Sequence, residues 1–424
     1  MKIHIKNGRV VDPQSGTDKV QDLYLAAGKI AAVGAAPDGF HANRVIDAEG
    51  LVVCPGLVDL SARLREPGFE HKATLESEMA AAVAGGVTSL ACPPDTDPPL
   101  DEPGLVEMLK HRARSLNQAH VYPLGALTLG LKGERITEMA ELVDAGCVAF
   151  SQAEVPLEDN LVMLRAMQYA TTFGYPVWLR PSDGSLARGG VAHDGQVATR
   201  LGLAPIPVAA ETVALSTMLL LARETGARVH LCRLSSAQGV EMMRQAKALS
   251  MNVTCDVSAN HVHLSEMDIG YFDSNYHLVP PLRSLRDRDA LRRGVEDGTI
   301  DAICSDHTPV DEDAKQLPFG ESEAGATGLE LLLALTLKWS EESRIALPKA
   351  MAKVTTEPAR ILGIGPVAIA AGASADLCVF DPQLRWKVGP ATLRSQGKNT
   401  PFAGHEVKGR VRYTLVSGHI VFEA

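Results

Sequence analysis

The sequence predicts an α/β fold, a (β/α)8 TIM barrel with a small β domain built from both chain termini. The middle of the chain alternates short β-type runs with amphipathic stretches of helix length, and the two ends share an alternation of apolar and polar residues. The 424 residues are enough for a large barrel and an accessory domain. We place the composite β domain at residues 1–53 plus 365–424 and the barrel at residues 54–364.

The two ends of the chain are predicted to pair with each other. Residues 2–11 and 20–34 alternate apolar and polar side chains, with turn signals at Asn7-Gly8 and Ala27-Gly28. Residues 376–380 and 410–422 do the same, with Ser417-Gly418 as a hairpin turn. Neither end carries enough apolar surface to fold alone, so we expect one domain made from both.

The middle of the chain contains eight β-type runs separated by helical stretches, the pattern of a parallel barrel. The strands are predicted near residues 57–61, 87–92, 119–126, 147–151, 176–180, 228–233, 251–257 and 301–305. The helices are predicted at 72–84, 102–115, 157–173, 208–225 and 236–249, with a further helical region at about 325–362. Barrels of this kind carry their chemistry at the C-terminal ends of the strands.

Composition excludes several classes of function. The net charge of -10 argues against binding to nucleic acid or to an anionic membrane surface. No apolar run is long enough to span a membrane, and the residues Met1–Lys6 alternate rather than forming the core of a signal peptide. The seven cysteines are odd in number and lack CxxC spacing, which indicates reduced thiols in a cytoplasmic protein.

At the end of the first predicted strand, residues 55–68 read PGLVDLSARLREPG. This segment resembles the first strand of dihydroorotases, cyclic-amide hydrolases of the amidohydrolase superfamily, whose motif there is PGLVDxHxHLRxPG. The resemblance extends over nearly the whole chain. It continues at GGVT (85–88), PDTDP (94–98), AGCVAFS (145–151), GGV (189–191) and PPLR (280–283), and from Asp297-Gly298-Thr299 to Ser305-Asp306-His307.

The resemblance implies a catalytic metal held by histidines and carboxylates, which would polarise the ring carbonyl and generate hydroxide. In place of the two histidines of strand one, this chain has Ser61 and Arg63. In place of the histidines of strands five and six it has Arg180 and Arg233. A guanidinium is permanently cationic and repels a metal ion.

One expected ligand survives. Gln152 stands nearest to the strand-four position where the family has an aspartate or a carboxylated lysine, and only Asp306 of strand eight, the family's ligand and general base, remains. One carboxylate cannot hold a catalytic zinc ion. We therefore predict no bound metal, no cofactor and no catalytic residue.

The substrate contacts implied by the resemblance are also altered. Arg65, which would bind the substrate carboxylate, remains, whereas the asparagine of the family's Met-Pro-Asn-Thr motif is Asp95 here. Val279 and Val310 replace a further asparagine and a histidine. We treat eight positions as a vestigial site: Ser61, Arg63, Arg65, Asp95, Gln152, Arg180, Arg233 and Asp306.

The new arginines have two interpretations. Arg63, Arg180 and Arg233 could pair with Asp306, Asp183 and Asp95, or they could form a site for an anion. We favour ion pairs, because unpaired charges in a barrel mouth are costly. The remaining candidate ligands could regroup around an ion but are more often hydrogen-bonded structural residues; they are His230, His261, His263 and His307.

Three functions follow from these observations. A dihydroorotase-like chain without metal ligands resembles the pseudo-dihydroorotases, which associate with the catalytic chain of aspartate carbamoyltransferase in bacterial pyrimidine biosynthesis, typically as six of each chain. The resemblance therefore implies a non-catalytic subunit of a hetero-oligomer. The alternatives are a sensor that binds an anionic pyrimidine intermediate through Arg65, and a metal-independent cyclic-amide hydrolase with Asp306 as its base and the arginines as an oxyanion clamp.

An acidic loop after strand eight is one candidate contact for a partner. It contains Asp311-Glu312-Asp313 together with Glu321 and Glu323. The alternative is a solvated, mobile loop without a binding role.

Overall fold

The computed structural model describes all 424 residues, and its first 55 residues form only short strands. These are β1 (Ile3–Lys6), β2 (Arg9–Asp12), β3 (Thr17–Val20), β4 (Leu23–Ala26), β5 (Lys29–Val33), β6 (Arg44–Asp47) and β7 (Val52–Pro55).

The middle of the chain supplies an eight-stranded parallel sheet and one small two-stranded sheet. The eight strands are β8 (Leu57–Asp59), β9 (Val87–Cys92), β10 (His120–Ala126), β11 (Ala149–Ser151), β12 (Val177–Leu179), β15 (Val229–Leu231), β16 (Val253–Ser258) and β17 (Ala302–Cys304). The small sheet pairs β13 (Ala192–His193) with β14 (Pro205–Ile206).

The eight strands pair in chain order and form a nearly closed barrel, which confirms the predicted fold class. The first and last strands approach each other at a parallel bridge between Ala62 and His307. There the backbone N–H of Arg63 donates to the carbonyl of His307 at 2.9 Å, and the N–H of His307 donates to the carbonyl of Ser61 at 3.0 Å. Closure therefore brings the ends of β8 and β17 side by side.

Fourteen helices accompany the strands. They are α1 (Leu75–Ala84), α2 (Pro103–Ser115), α3 (Met139–Ala145), α4 (Asn160–Phe173), α5 (Gly184–Ala187), α6 (Gln196–Leu201), α7 (Ala209–Thr225), α8 (Ala237–Ala248), α9 (Ala259–His263), α10 (Leu285–Asp297), α11 (Glu312–Lys315), α12 (Leu332–Glu342), α13 (Leu347–Ala352) and α14 (Thr356–Leu362).

Local sequence explains where several of the longer helices begin and end. The hydroxyls of Ser236 and Ser284 accept backbone N–H groups in the first turns of α8 and α10, which would otherwise lack partners. Helices α4 and α7 end at Gly174 and Gly226, both in the left-handed conformation that a glycine adopts without steric cost. The five helices predicted from periodicity therefore appear close to their expected bounds.

The C-terminal strands are β18 (Leu377–Lys387), β19 (Glu406–Val416) and β20 (His419–Glu423). They join the N-terminal strands in a six-stranded sheet with the order β20-β19-β18-β7-β2-β3, while β5-β4-β1-β6 form a second sheet. Strand β18 pairs with β7 in antiparallel register from Leu377↔Pro55 to Phe380↔Val52, which joins the two ends of the chain. The domain boundaries at 53/54 and 364/365 stay a prediction, and β7 extends across the first of them.

A buried carboxylate ties the barrel to the C-terminal segment. Glu78 of α1 accepts from His307 Nε2 at 2.5 Å, from Ser395 Oγ at 2.7 Å and from the backbone N–H of Gln396 at 3.0 Å. His307 Nδ1 accepts hydrogen bonds from the backbone N–H groups of Gly328 and Leu329, so the ring proton lies on Nε2, which donates the hydrogen bond to Glu78. These bonds hold the segment that follows β17 against α1.

The two ends of the barrel are closed differently. Away from the mouth, α14 packs against β8 and β17, and Val58 and Ile303 of these strands donate backbone hydrogen bonds to the carbonyls of Val354 and Lys353, which precede α14. The opposite end carries the vestigial site. No helix is long and apolar enough to cross a bilayer, and the seven cysteines are all free thiols.

Candidate functional site at the barrel mouth

Three arginines enter the barrel mouth from three separate strand ends. Arg63 follows β8, Arg180 comes directly after β12, and Arg233 lies two residues beyond β15. Arg233 has a φ of 55° and Asp306 a φ of 51°, the left-handed region that non-glycine residues seldom adopt. Such a conformation costs on the order of 1–3 kcal/mol, so the surrounding contacts must hold it.

Glu154 is the carboxylate that all three arginines share. Its side chain lies 2.6 Å from Arg63 Nη2, 2.6 Å from Arg180 Nε, and in contact with Arg233 Nη1. Arg180 Nη2 also donates to the main-chain carbonyl of Glu154 at 2.8 Å. Glu154 thus joins the ends of strands β8, β12 and β15.

Two further carboxylates complete the charge balance. Arg63 Nε donates to Asp95 at 2.7 Å, and Arg233 Nη1 donates to Asp306 at 2.9 Å. Asp306 also lies 3.7 Å from Arg63 Nη1. Three guanidinium groups therefore meet three carboxylates, and we call this set of Arg63, Asp95, Glu154, Arg180, Arg233 and Asp306 the ion-pair network.

The carboxylates of the network differ in their proton affinity. Burial acts to raise the pKa of Glu154, but Arg233, Arg180 and Arg63 outweigh it and hold that pKa well below its usual range. Burial raises the pKa of Asp306, and the nearby Arg233 and Arg63 offset this only in part. Glu154 is therefore the principal counter-ion of the mouth.

Three vestigial-site positions lie outside the network, namely Arg65, Gln152 and Ser61. Arg65 donates from Nε to the carbonyl of Pro309 at 2.9 Å, and its Nη2 is 3.9 Å from Glu323. Gln152 is buried, accepts from Thr128 Oγ1 at 2.9 Å and donates to the carbonyl of Leu131 at 2.7 Å. Ser61 is adjacent to the network, with its hydroxyl 3.5 Å from Asp306 Oδ1.

The predicted ion pairs need one correction. Asp183 does not pair with an arginine, because its carboxylate caps α5 by accepting the backbone N–H of Leu186 at 2.9 Å. Glu154 takes that place and was missed from the sequence. Glu154 lies three residues beyond β11, at a strand end where functional residues were expected. An acidic residue at that position, together with three arginines at other strand ends, was the feature of the sequence that could have indicated the pairing.

Little free space remains inside the mouth. A cavity of about 20 Å³ is lined by Ser61, Arg63, Trp178, Arg180, Arg233 and their neighbours, which is room for about one water molecule. A second cavity of about 280 Å³ borders the network at Glu154 and Arg180 and is also lined by Glu211, Pro281 and Arg283. The ion-pair network itself therefore fills the volume between the strand ends.

Comparison with known proteins identifies the family. The family model for dihydro-orotase-like proteins matches residues 50–239, and the amidohydrolase family model matches residues 194–421. The dihydroorotase-like protein of Pseudomonas aeruginosa is 47% identical, and the dihydroorotase of Citrifermentans bemidjiense is 40% identical, each over the full length of both chains. The chain belongs to the dihydroorotase-like amidohydrolases.

A solved structure supports the same assignment of fold. The L-hydantoinase (dihydropyrimidinase) from Arthrobacter aurescens superposes with a TM-score of 0.89 at 26% sequence identity, covering 99% of this chain and 96% of that one. The dihydroorotase-like frame is therefore present along the whole chain, including both terminal sheets.

The residues of this dihydroorotase-like mouth do not fit the metal that the family resemblance implies. The four positions expected to be histidine carry a hydroxyl and three guanidinium groups, and Asp306 is engaged by Arg233. The structure holds no cluster of three or more histidine, cysteine, aspartate or glutamate side chains with metal-binding geometry. A cation placed here would displace the arginines from their carboxylates.

The four other histidines lie in separate structural roles. His230 contacts Thr254 and Asp256, His261 Nε2 lies 3.3 Å from the carbonyl of Pro281, and His263 Nε2 lies 2.8 Å from the carbonyl of Leu335. Together with His307, which binds Glu78, they do not converge on one point. They contribute to packing at four places around the barrel.

The network predicts a stability loss when its shared carboxylate is neutralised. Glu154→Gln should lower the free energy of unfolding by about 2–4 kcal/mol, because it leaves buried guanidinium groups under-compensated. The value stays in this range because 32% of the Glu154 side chain reaches solvent, which screens part of the charge. Asp306→Asn should lower the free energy of unfolding by less, because Glu154 is the principal counter-ion of the three arginines.

Urea denaturation followed by circular dichroism measures this effect. The control is Glu141→Gln, an exposed carboxylate of α3, which should change stability by less than about 0.5 kcal/mol. Equal stability of Glu154→Gln and the wild type would show that the arginines do not depend on Glu154.

A buried histidine predicts a loss of stability in mild acid. Burial lowers the pKa of His263 to about 4, so the folded chain keeps this ring neutral while the unfolded chain takes up a proton below about pH 6.5. Stability contributed by the neutral ring is therefore lost as the pH falls. When the pH falls from 7 to 5, the free energy of unfolding should decrease by about 2 kcal/mol less in His263→Gln than in the wild type.

Urea midpoints at the two pH values test this prediction. His41→Gln, which removes an exposed histidine, is the control and should follow the wild type. An identical pH dependence for His263→Gln and the wild type would contradict the assignment of the proton uptake to His263.

Proposed function

We propose that this chain is a non-catalytic dihydroorotase-like subunit that assembles with the catalytic chain of an aspartate carbamoyltransferase in pyrimidine biosynthesis. One observation carries the proposal. The positions where the family resemblance implies a metal are occupied by an ion-pair network that draws on several strands, while the frame around it is intact. A frame whose metal-binding positions have been replaced at several independent places is kept for its surface.

The groups that a metal-independent hydrolysis would use are engaged in the ion-pair network. A general base accepts a proton from the attacking water, whereas the ion pair with Arg233 at 2.9 Å favours the unprotonated form of Asp306 and so makes it a weaker base. An oxyanion clamp needs uncompensated positive charge, whereas each arginine of the network contacts a carboxylate. These contacts argue against the metal-independent cyclic-amide hydrolase.

The ligand sensor has one specific observation in its favour. The cavity of about 280 Å³ beside Arg180 and Arg283 approaches the size of a small-molecule site. Arg65, the residue first considered for this role, is held by Pro309 and Glu323 instead. Equilibrium binding of carbamoyl aspartate or dihydroorotate by calorimetry separates the sensor from the assembly subunit.

The acidic loop supports a contact with a partner of opposite charge. Asp311, Glu312, Asp313 and Glu321 are exposed and form no ion pair, whereas Glu323 binds Lys72 at 2.5 Å. A row of unpaired carboxylates beside the mouth would complement a basic surface. We include these four residues in the proposed contact and leave Glu323 to its internal role.

The proposal predicts that the purified chain does not hydrolyse dihydroorotate. Restoring a single histidine in Arg63→His should not rescue turnover, because the other expected ligands stay absent and catalytic groups act as a unit. A spectrophotometric assay with a metal-supplemented buffer measures this. A rate of dihydroorotate hydrolysis that rises in proportion to the concentration of the wild-type chain or of the Arg63→His variant would contradict this prediction.

The proposal also predicts a stable complex with the transferase. Mixing this chain with the aspartate carbamoyltransferase catalytic chain of the same cell should give one larger species by light scattering, with six of each chain as the expected composition. The variant Glu312→Lys/Asp313→Lys should weaken the complex about tenfold or more, because it reverses charge at the contact. The matched control is Glu141→Lys, an exposed charge reversal on α3.

The outcomes are distinct. Separate migration of the two wild-type chains at micromolar concentration would overturn the assembly proposal and leave the sensor as the leading candidate. A complex that forms equally well with the Glu312→Lys/Asp313→Lys variant would keep the assembly and remove the acidic loop from its contact.

A further inference from the structure

A groove of about 1090 Å³ lies between helix α2 and the C-terminal strand β20, at the end of the barrel opposite to the mouth. Residues 116–122, which connect α2 to β10 and form the start of that strand, also line it. Its volume exceeds the roughly 300–1,000 Å³ of a small-molecule site. The groove is therefore large enough for a segment of polypeptide. We call it the α2–β20 groove.

The α2–β20 groove is basic, although the chain as a whole has a net charge of -10. Lys110 and Arg114 of α2 line it, and no aspartate or glutamate does. Arg112, which lies between them in the sequence, pairs with Glu66, whereas Lys110 reaches only the carbonyl of Gly146 at 3.4 Å. Lys110 and Arg114 form no ion pair within the chain, so both cations are available to an anionic group.

Carboxylates close to the groove do not neutralise these two cations. Glu423, at the end of β20, pairs with Arg44 at 2.7 Å. Asp376 lies 3.6 Å from His120 Nε2, on the far side of the groove from α2. Glu107 of α2 is exposed and does not line the groove. The positive charge along α2 is therefore not balanced by the chain itself.

Strand β20 forms the other wall of the groove and is an edge strand of the six-stranded sheet. Three consecutive residues line the groove, namely His419, Ile420 and Val421. Side chains on one face of a strand are two residues apart, so three consecutive lining residues show that the groove follows the strand edge. The pairing with β19 is irregular near Val421, and β20 pairs with no other strand. Backbone groups on the open side of β20 therefore lack a neighbouring strand.

We infer that the α2–β20 groove binds an extended, acidic segment of a partner protein. The carboxylates of the segment pair with Lys110 and Arg114, and its backbone lies along the open edge of β20. The spacing of the two cations supports an extended segment. They are four residues apart on one side of α2, about 6 Å along the helix axis, and alternate side chains of an extended chain are about 6.8 Å apart. Acidic residues at every second position therefore match both cations.

The charge distribution of the whole chain makes this contact selective. The net charge of -10 repels an acidic segment from most of the surface, so the basic groove is the favoured place for it to bind. The residues between the acidic positions point to the other side of the segment. Apolar residues suit these positions, because the groove is also lined by apolar side chains such as Val148 and Val421.

Fluorescence anisotropy with a labelled peptide of about eight residues, glutamate alternating with valine, tests the inference. The peptide should bind the wild type saturably. The same peptide with glutamine in place of glutamate should bind about tenfold more weakly or less, because it cannot form the ion pairs. The variant Lys110→Glu/Arg114→Glu should weaken binding of the glutamate peptide by about tenfold or more.

The matched control is Arg165→Glu/Arg200→Glu, which makes the same change in net charge at exposed positions of α4 and α6. It should bind the glutamate peptide as the wild type does. Absence of saturable binding, equal affinity for the two peptides, or equal affinity of the wild type and Lys110→Glu/Arg114→Glu overturns the inference. An equal loss of affinity in the control also overturns it, because net charge alone would then explain the binding.

Light scattering without peptide distinguishes a second copy of the chain as the occupant. The wild type and Lys110→Glu/Arg114→Glu should have the same mass, because the inferred occupant is a different protein. A lower mass for the variant would assign the groove to self-association and overturn the inference. Neither experiment contains the transferase, so failure here leaves the proposed assembly untouched, and the reverse also holds.

Discussion

Positive charge can be buried in a barrel mouth only if an equal negative charge is brought to the same place. Taking a charged group out of water costs several kcal/mol, and a partner at hydrogen-bonding distance offsets that cost. Here Glu154 provides most of the compensation, since it contacts all three arginines, and Asp95 and Asp306 supply the rest. The left-handed backbone at Arg233 and Asp306 is held in place by this arrangement.

The same constraint explains why the frame and the chemistry can be separated. The barrel is stabilised by its apolar layers, by backbone pairing and by buried links such as that from Glu78 to His307 and Ser395. None of these contacts requires a metal ion. A charge-balanced mouth leaves these contacts undisturbed.

The sequence allowed the barrel to be predicted because each strand and helix carries its own periodicity and its own stop signals. The alternation of eight β-type runs with helical stretches indicated the closed parallel sheet, and the matching patterns at the two ends indicated the shared sheets joined at β7 and β18. The short helices α5, α6, α9 and α11 were not predicted, because at four to six residues they are too short to show a period.

The sequence predicted which residues lie at the strand ends of the site, but not the direction in which each side chain points. The resemblance placed Arg63, Arg180, Arg233 and Asp306 at strand ends, and they do meet there. Gln152 and Arg65 turn away to Leu131 and Pro309, and Asp183 caps a helix, because backbone conformation and local hydrogen bonds set the direction of each side chain.

The most direct test of the account is the metal content of the chain, purified from zinc-supplemented cells and measured by mass spectrometry. The account predicts far less than one zinc ion per chain, and about one ion per chain, lost on mutation of Asp306, would contradict it.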